Sequence, residues 1–324
     1  MAFRRHLWGL GFKVAEAMDT AQRGMGLDWP HARALVSRAL AEARATPGAD
    51  LACGAGTDQL DPAQARSLDD VVAAYEEQIE HVEREGGRVV LMASRALCRI
   101  ARSAEDYLAV YSRLVHQCRS KVVLHWLGEA FDPALSGYWG SRDFEAARHT
   151  VLTLIREQAG RIEGIKMSLL DAEKEVAMRR ELPDGVLMYT GDDFNYSELI
   201  AGDAAGHSHG LLGIFDPIAP AAAAALDRLG GGDRAGYDAI MRPTVSLSRR
   251  LFEAPTQYYK SGVVFLAWLN GFQSHFRMVG GAESARGLLH YADLFRLADR
   301  ARLLHDQDLA AGRMRLLCSL NGVA

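Results

Sequence analysis

Gly164-Ile165-Lys166-Met167-Ser168, preceded by Ile162 and followed by Leu169, sets a lysine inside an otherwise apolar run. An ammonium group in such a run is costly to desolvate unless it is paired, solvated or put to use. The same penalty lowers a lysine's pKa and makes its amine a nucleophile able to condense with a carbonyl. From these neighbours alone, Lys166 reads either as such a nucleophile or as a salt-bridged lysine at a strand end. The continuous apolar character around it points to a strand buried on both faces, as in parallel sheets.

Working outward, similar short runs recur at residues 12–18, 50–53, 88–93, 121–127, 186–189 and 210–215. Amphipathic helical patterns lie between them, and this alternation is the α/β signature. Asp28 before Pro30 starts one helix, Ser67 with Asp70 a second, Ser103 with Glu105 and Asp106 a third, and a fourth runs from about Asp143 to Gln158. The alanine-rich run from Ala219 to Leu229, closed by Gly230-Gly231-Gly232, reads as a helix with its stop. From Thr244 the strand signal fades and helical patterns take over. The expected architecture is a TIM (β/α)8-type barrel over residues 1–243, with a helical C-terminal extension over 244–324 packed on it. Seven strand candidates stand where a closed barrel wants eight.

Composition narrows the function classes. The 324 residues are 49% hydrophobic and 24% charged, enough for a large core, and the net charge of -4 offers no footprint for nucleic acid. Cys53, Cys98, Cys118 and Cys318 show no metal-binding or disulfide spacing and read as buried reduced thiols. No secretion signal opens the chain, and its most apolar stretch, 262–269, is far shorter than the roughly 20 residues of a membrane span. A soluble cytoplasmic protein without nucleic-acid or membrane partners is expected.

Lys166 is followed by Tyr189-Thr190-Gly191-Asp192-Asp193, then Gly202-Asp203-Ala204-Ala205-Gly206, then Ala219-Pro220. In order and spacing this series resembles the dihydrodipicolinate synthase/N-acetylneuraminate lyase family of class I aldolases, and in detail a branch known mainly as a domain of unknown function. That family carries G-I-K at the Schiff-base lysine, then S/T-G-D-D, a G-A-x-G turn and an A-P helix start. The resemblance implies a barrel with Lys166 on its sixth strand, an imine-forming lyase that needs no metal or organic cofactor, a small-molecule carbonyl substrate and a homo-oligomer. His125, in His125-Trp126-Leu127-Gly128, falls where the family has a proton-shuttling tyrosine. Histidine titrates near neutrality and can do that work, although a core-edge histidine bonded to a carbonyl would look the same.

Residues 11–40 resemble the family's second βα unit, so the loop Met18-Asp19-Thr20-Ala21-Gln22-Arg23-Gly24 takes the place of its carboxylate-binding hydroxyls. Thr20 keeps one hydroxyl; Asp19 replaces the other and would repel a substrate carboxylate. A sugar-derived aldehyde, ketone or keto acid therefore fits at least as well as pyruvate, with Arg23 or Arg95 supplying positive charge. Ser94, Ser168, Asp192 and Asp193 complete the candidate substrate-binding set, the aspartates reading equally as helix caps. A metal-dependent sugar isomerase using Glu16, Asp19, His125, His207 and His209, and a non-catalytic carbohydrate-binding barrel, stand as alternatives. With residues 11–18 laid on the second strand, the first strand is lacking. Either the natural chain starts earlier or other segments replace that strand, and a gap between the flanking strands is expected.

Overall fold

The computed structural model describes residues 1–18 and 23–323; Asp19 and Thr20 lie outside the described residues. Seven strands form one parallel, curled sheet in sequence order: β1 (Val14–Glu16), β2 (Leu51–Ala55), β3 (Arg88–Leu91), β4 (Val122–Leu127), β5 (Ile162–Ser168), β6 (Leu187–Thr190) and β7 (His209–Gly210). Around it run α1 (Ala2–Gly9), α2 (Trp29–Ala45), α3 (Leu68–Arg84), α4 (Arg95–Ile100), α5 (Ala104–Gln117), α6 (Phe144–Glu157), α7 (Ala172–Arg179), α8 (Tyr196–Ala201) and α9 (Phe215–Gly230). The helices α10 (Arg234–Leu251), α11 (Tyr259–Leu269), α12 (Leu288–Arg300) and α13 (Gln307–Leu320) follow. The boundary expected after residue 243 falls within α10.

The helix starts follow local chemistry. Ser67 and Asp70 form a reciprocal capping box on α3, and Asp28 accepts the His31 N–H at 3.0 Å ahead of Pro30 on α2. Ser103 departs from the expected device: its side chain makes no cap bond on α5, and Asp106 instead accepts the Arg102 N–H. The last strand is also shorter than expected. It ends at Gly210, and Phe215 already opens α9, where Pro217 in the first turn lacks an N–H that would have no partner inside the helix. Two of the four thiols, Cys98 and Cys318, are only half-buried, because they sit on helices facing partly outward; all four are free.

The sheet is uneven. All six residues of β4 are buried, whereas both residues of β7 are exposed. Residues 2–9, ahead of β1, are helical, and among the described residues no ladder joins β1 to β7. Side chains close that opening in part: the rings of Phe12 and Phe215 lie 5.7 Å apart, Arg4 pairs with Glu16, and Lys260 Nζ lies 3.4 Å from Asp216. A cavity of about 430 Å³ remains there, between the α1–β1 side and α9 and α11.

At the strands' N-terminal ends, ionic and hydroxyl groups close the base. Asp50 meets Lys13 and Arg88, each at 3.0 Å, Arg88 reaches Glu163 at 2.8 Å, and the Tyr189 hydroxyl donates to Glu163 at 2.7 Å. Glu163 is the extra residue of a register shift in which Val122 faces Ile162 but Val123 faces Gly164.

Candidate active site

The ladder between β4 and β5 sets His125 beside Lys166, and that between β5 and β6 sets Lys166 beside Tyr189. Strand alternation puts Ser168 on the same face as Lys166. His125 is 1% and Lys166 9% exposed, and His125 Nε2 lies 3.0 Å from Ser168 Oγ. Two glycines make room for this group. A side chain at Gly164 would come within 2.8 Å of the Tyr189 ring, and one at Gly191 would overlap Ser168 Oγ and approach Lys166 Cε to 2.8 Å. The glycine before the lysine thus admits the tyrosine beneath it, and the glycine of Thr190-Gly191-Asp192-Asp193 forms a close wall along its stem.

The two aspartates of that turn differ. Asp192 holds the turn ahead of α8: it accepts the backbone N–H groups of Phe194 at 2.9 Å and Asn195 at 3.0 Å, and the Asn195 amide at 2.8 Å. Asp193 is buried, accepts the Ile214 N–H at 2.9 Å and lies within the electrostatic reach of Lys166. Burial pushes its carboxyl up to about 7, with the Ile214 N–H and Lys166 pulling the other way. Ser248 of α10 donates to the Asp193 carbonyl, so the C-terminal helices hold this turn as well.

The remaining candidates sit at the rim. Ser94 caps α4 by accepting the Leu97 N–H at 3.0 Å, and its hydroxyl lies 2.6 Å from Thr57 Oγ1. Its own N–H donates to the Tyr138 hydroxyl at 2.9 Å. Arg95 pairs with Asp132 through Nε and, with Thr57, Met92, Leu127 and Phe131, lines a cavity of about 270 Å³ over the ends of β2 to β4. Gln257 and Tyr258 reach that cavity from the C-terminal region.

Arg23, expected to meet substrate, also lines that cavity, but its donors are engaged by the fold. Its five donors reach Asp58, Gln78 and the carbonyls of Ala17 and Gly54, which ties together the ends of β1 and β2. None is left for a ligand. Among the C-terminal aromatic residues, Tyr259 stacks on Phe252 at 4.3 Å and meets Phe131 edge-on. The rings of His207 and His209 meet edge-to-face at 5.0 Å, Glu16 is held by Arg4, and among the described residues no three metal-ligating side chains gather.

Thr57, Tyr138, Gln257 and Glu175 take part in or adjoin this site without having stood out in the sequence. For Thr57 a signal existed, since Gly54-Ala55-Gly56-Thr57 directly follows an apolar strand.

The fold is a dihydrodipicolinate synthase-like α/β barrel, and its candidate site sets a buried lysine beside a histidine and against a glycine wall. Over residues 1–323 the chain matches the family described as "Protein of unknown function (DUF993)", and it belongs to that family. No curated protein matches it in sequence. Among solved structures it is similar to YagE, a prophage protein of the dihydrodipicolinic acid synthase family from E. coli K12 in complex with pyruvate, with TM-score 0.72, 14% identity, and 93% of this chain and 91% of that one covered. Dihydrodipicolinate synthase from Thermotoga maritima gives TM-score 0.69 at 15% identity, covering 94% and 92%, and that from Aquifex aeolicus 0.70 at 11%, covering 94% and 91%.

Proposed function

We propose that the chain is a class I aldolase or lyase that forms a Schiff base between Lys166 and a 2-oxo acid or sugar-derived carbonyl compound. The observation that supports this most is the placement of Lys166 within the barrel, level with His125 and walled by Gly191. The unprotonated amine adds to the carbonyl carbon, and the carbonyl oxygen takes up protons and leaves as water. The resulting iminium draws the electron pair of an adjacent C–C bond towards nitrogen, so that bond breaks, or forms in the reverse direction. His125 and Ser168, in hydrogen-bond contact, carry the protons. The rim cavity, with the Thr57 hydroxyl, the Arg95–Asp132 pair and Tyr258 among its lining, suits the hydroxylated remainder of such a substrate. Pyruvate in YagE makes 2-oxo acids the first class to try. The same reading has the chain acting as a cytoplasmic homo-oligomer, with exposed Leu289, Leu316 and Leu320 offering apolar surface to a second copy; light scattering checks the association state.

Incubation with pyruvate, 2-oxobutanoate, glyceraldehyde and dihydroxyacetone, reduction with borohydride and peptide mass spectrometry tests the proposal. An adduct on Lys166 that is absent from Lys166→Arg is expected. No adduct with any of these carbonyls would overturn it.

A further inference from the structure

On the far side of the Thr190–Asp193 turn from Lys166 lies a carboxyl group that the proposed chemistry does not use. Glu175 projects from α7 and is 1% exposed, yet neither carboxylate oxygen meets hydrogen-bond geometry among the described residues. Around it stand the hydroxyls of Thr190 and Ser208, both fully buried or nearly so, with Arg179 one turn further along α7 and Asp192 beyond Thr190. Thr190 follows the inward-facing Tyr189 and so presents its side chain to the helix layer. Its Oγ1 accepts the Asp192 N–H at 3.1 Å. Glu175 thus stands beside Thr190, whose hydroxyl is bonded to the backbone of the turn, and Gly191 and Asp193 of that turn face Lys166.

We propose that Glu175 is a positioning residue for Lys166, bracing from the helix layer the turn that walls the lysine within the barrel. This inference rests on Lys166 being the reactive amine. A carboxyl group among two hydroxyls and a backbone turn braces them best as the neutral acid, which can donate to either hydroxyl while accepting from the other. Burial favours that form and pushes Glu175 up to about 7; Asp192 pushes the same way, while Arg179 and the two hydroxyls oppose. Arg179 is occupied elsewhere: it donates to Asp203 at 2.9 Å and to Ser208 at 3.4 Å, and its Nε is buried without a partner. Asp171, at the start of α7, adds negative charge on the Asp192 side. No neighbouring cation is thus released to neutralise an ionised Glu175. Ionisation puts a second negative charge behind the turn and removes the proton that the acid can offer to Thr190 or Ser208.

The test is the reactivity of Lys166 itself, read on the full chain. Trace acetic anhydride labelling between pH 5.5 and 9.5, quantified by mass spectrometry against the exposed Lys121, gives the relative rate at Lys166 without any substrate. In the wild type this ratio is expected to change at least threefold between pH 6 and 8.5 beyond any change in Glu175→Gln, which keeps the neutral shape. Glu175→Ala, which removes the brace, is expected to differ from wild type at least threefold already at pH 6. If both variants follow the wild-type curve at every pH, the inference is overturned, including where their melting temperatures fall, since that pattern assigns Glu175 to stability alone. Should Glu175→Ala fail to fold, Glu175→Gln decides. Altered labelling without any trapped imine overturns the imine reading and leaves this inference standing; a trapped imine with unaltered labelling does the reverse.

Discussion

The sheet is built differently on its two sides. Around β4 to β6 each strand has a hydrogen-bonded neighbour on both flanks, β4 is buried throughout, and Lys166 is held between His125 and Tyr189 by ladders of six and four residue pairs. At the opposite side β1 has three residues and β7 two, no ladder joins them among the described residues, and side chains and helices bridge the opening. Backbone hydrogen bonds, which repeat at every residue, can place a reactive side chain closely. Ion pairs and rings close a surface but leave room, here a cavity of about 430 Å³. The candidate chemistry sits on the side where the backbone dictates position.

The sharpest break of that contrast is at the lysine. Lys166→Ala is expected to abolish the borohydride-trapped adduct completely while the chain still melts cooperatively, since only the amine-bearing arm is lost.

Next in size is Gly191→Ala. Its Cβ would overlap Ser168 Oγ, come within 2.8 Å of Lys166 Cε and approach the Met167 carbonyl oxygen to 3.0 Å. Overpacking of this kind costs about 1–3 kcal/mol. A lowered melting temperature together with at least tenfold slower imine trapping is expected. Wild-type trapping in this variant would mean that the wall does not place the lysine.

On the open side the expected pattern reverses. Arg4→Ala removes the ionic partner of Glu16, a residue 5% exposed that keeps, among the described residues, only the Ala17 N–H, and leaving one buried carboxylate oxygen without its donor costs about 1–3 kcal/mol. Thermal unfolding should register this loss, with Lys166 trapping within twofold of wild type. A large effect on trapping would show that the opening and the lysine are coupled.

The smallest expected effect is on the pH dependence of stability. Glu175 and Asp193 are both raised from ordinary carboxyl values, 4.5 and 3.8, to about 7. Between those limits the folded chain holds protons that the unfolded chain has released. Their contribution is therefore fully present below about pH 4 and is lost as pH rises through 7. Glu175→Gln should match wild type near pH 5 and melt a few degrees higher near pH 8. Equal melting temperatures at both values would contradict the raised Glu175.

What was legible depended on how local its cause is. The first six strand positions, the capping box of Ser67 and Asp70 and the buried lysine within the strand at 164–168 all follow from residues a few places apart. The structural use of Arg23 could not be read from the sequence, because its partners, Asp58 and Gln78, stand 35 and 55 residues away. A loop arginine beside a suspected site looks available until its five donors are counted in three dimensions. Asp192 and Asp193, adjacent and chemically identical, could not be told apart: one is consumed by the turn that follows it, and the other is buried in the neighbourhood of Lys166. Glu175 gave no signal at all, since a glutamate among Glu173, Lys174 and Arg179 reads as a solvated helix face.

By itself the sequence determined an alternating α/β chain of seven parallel strands, with a lysine in an apolar strand and glycines flanking it, because strand burial, helix capping and glycine placement are written in neighbouring residues. Only the tertiary structure decided which charges are free to act. Whether a carboxylate or guanidinium is spent on the fold or left for chemistry depends on partners brought from distant parts of the chain and on how far each group is removed from water, and neither quantity has a local sequence signature.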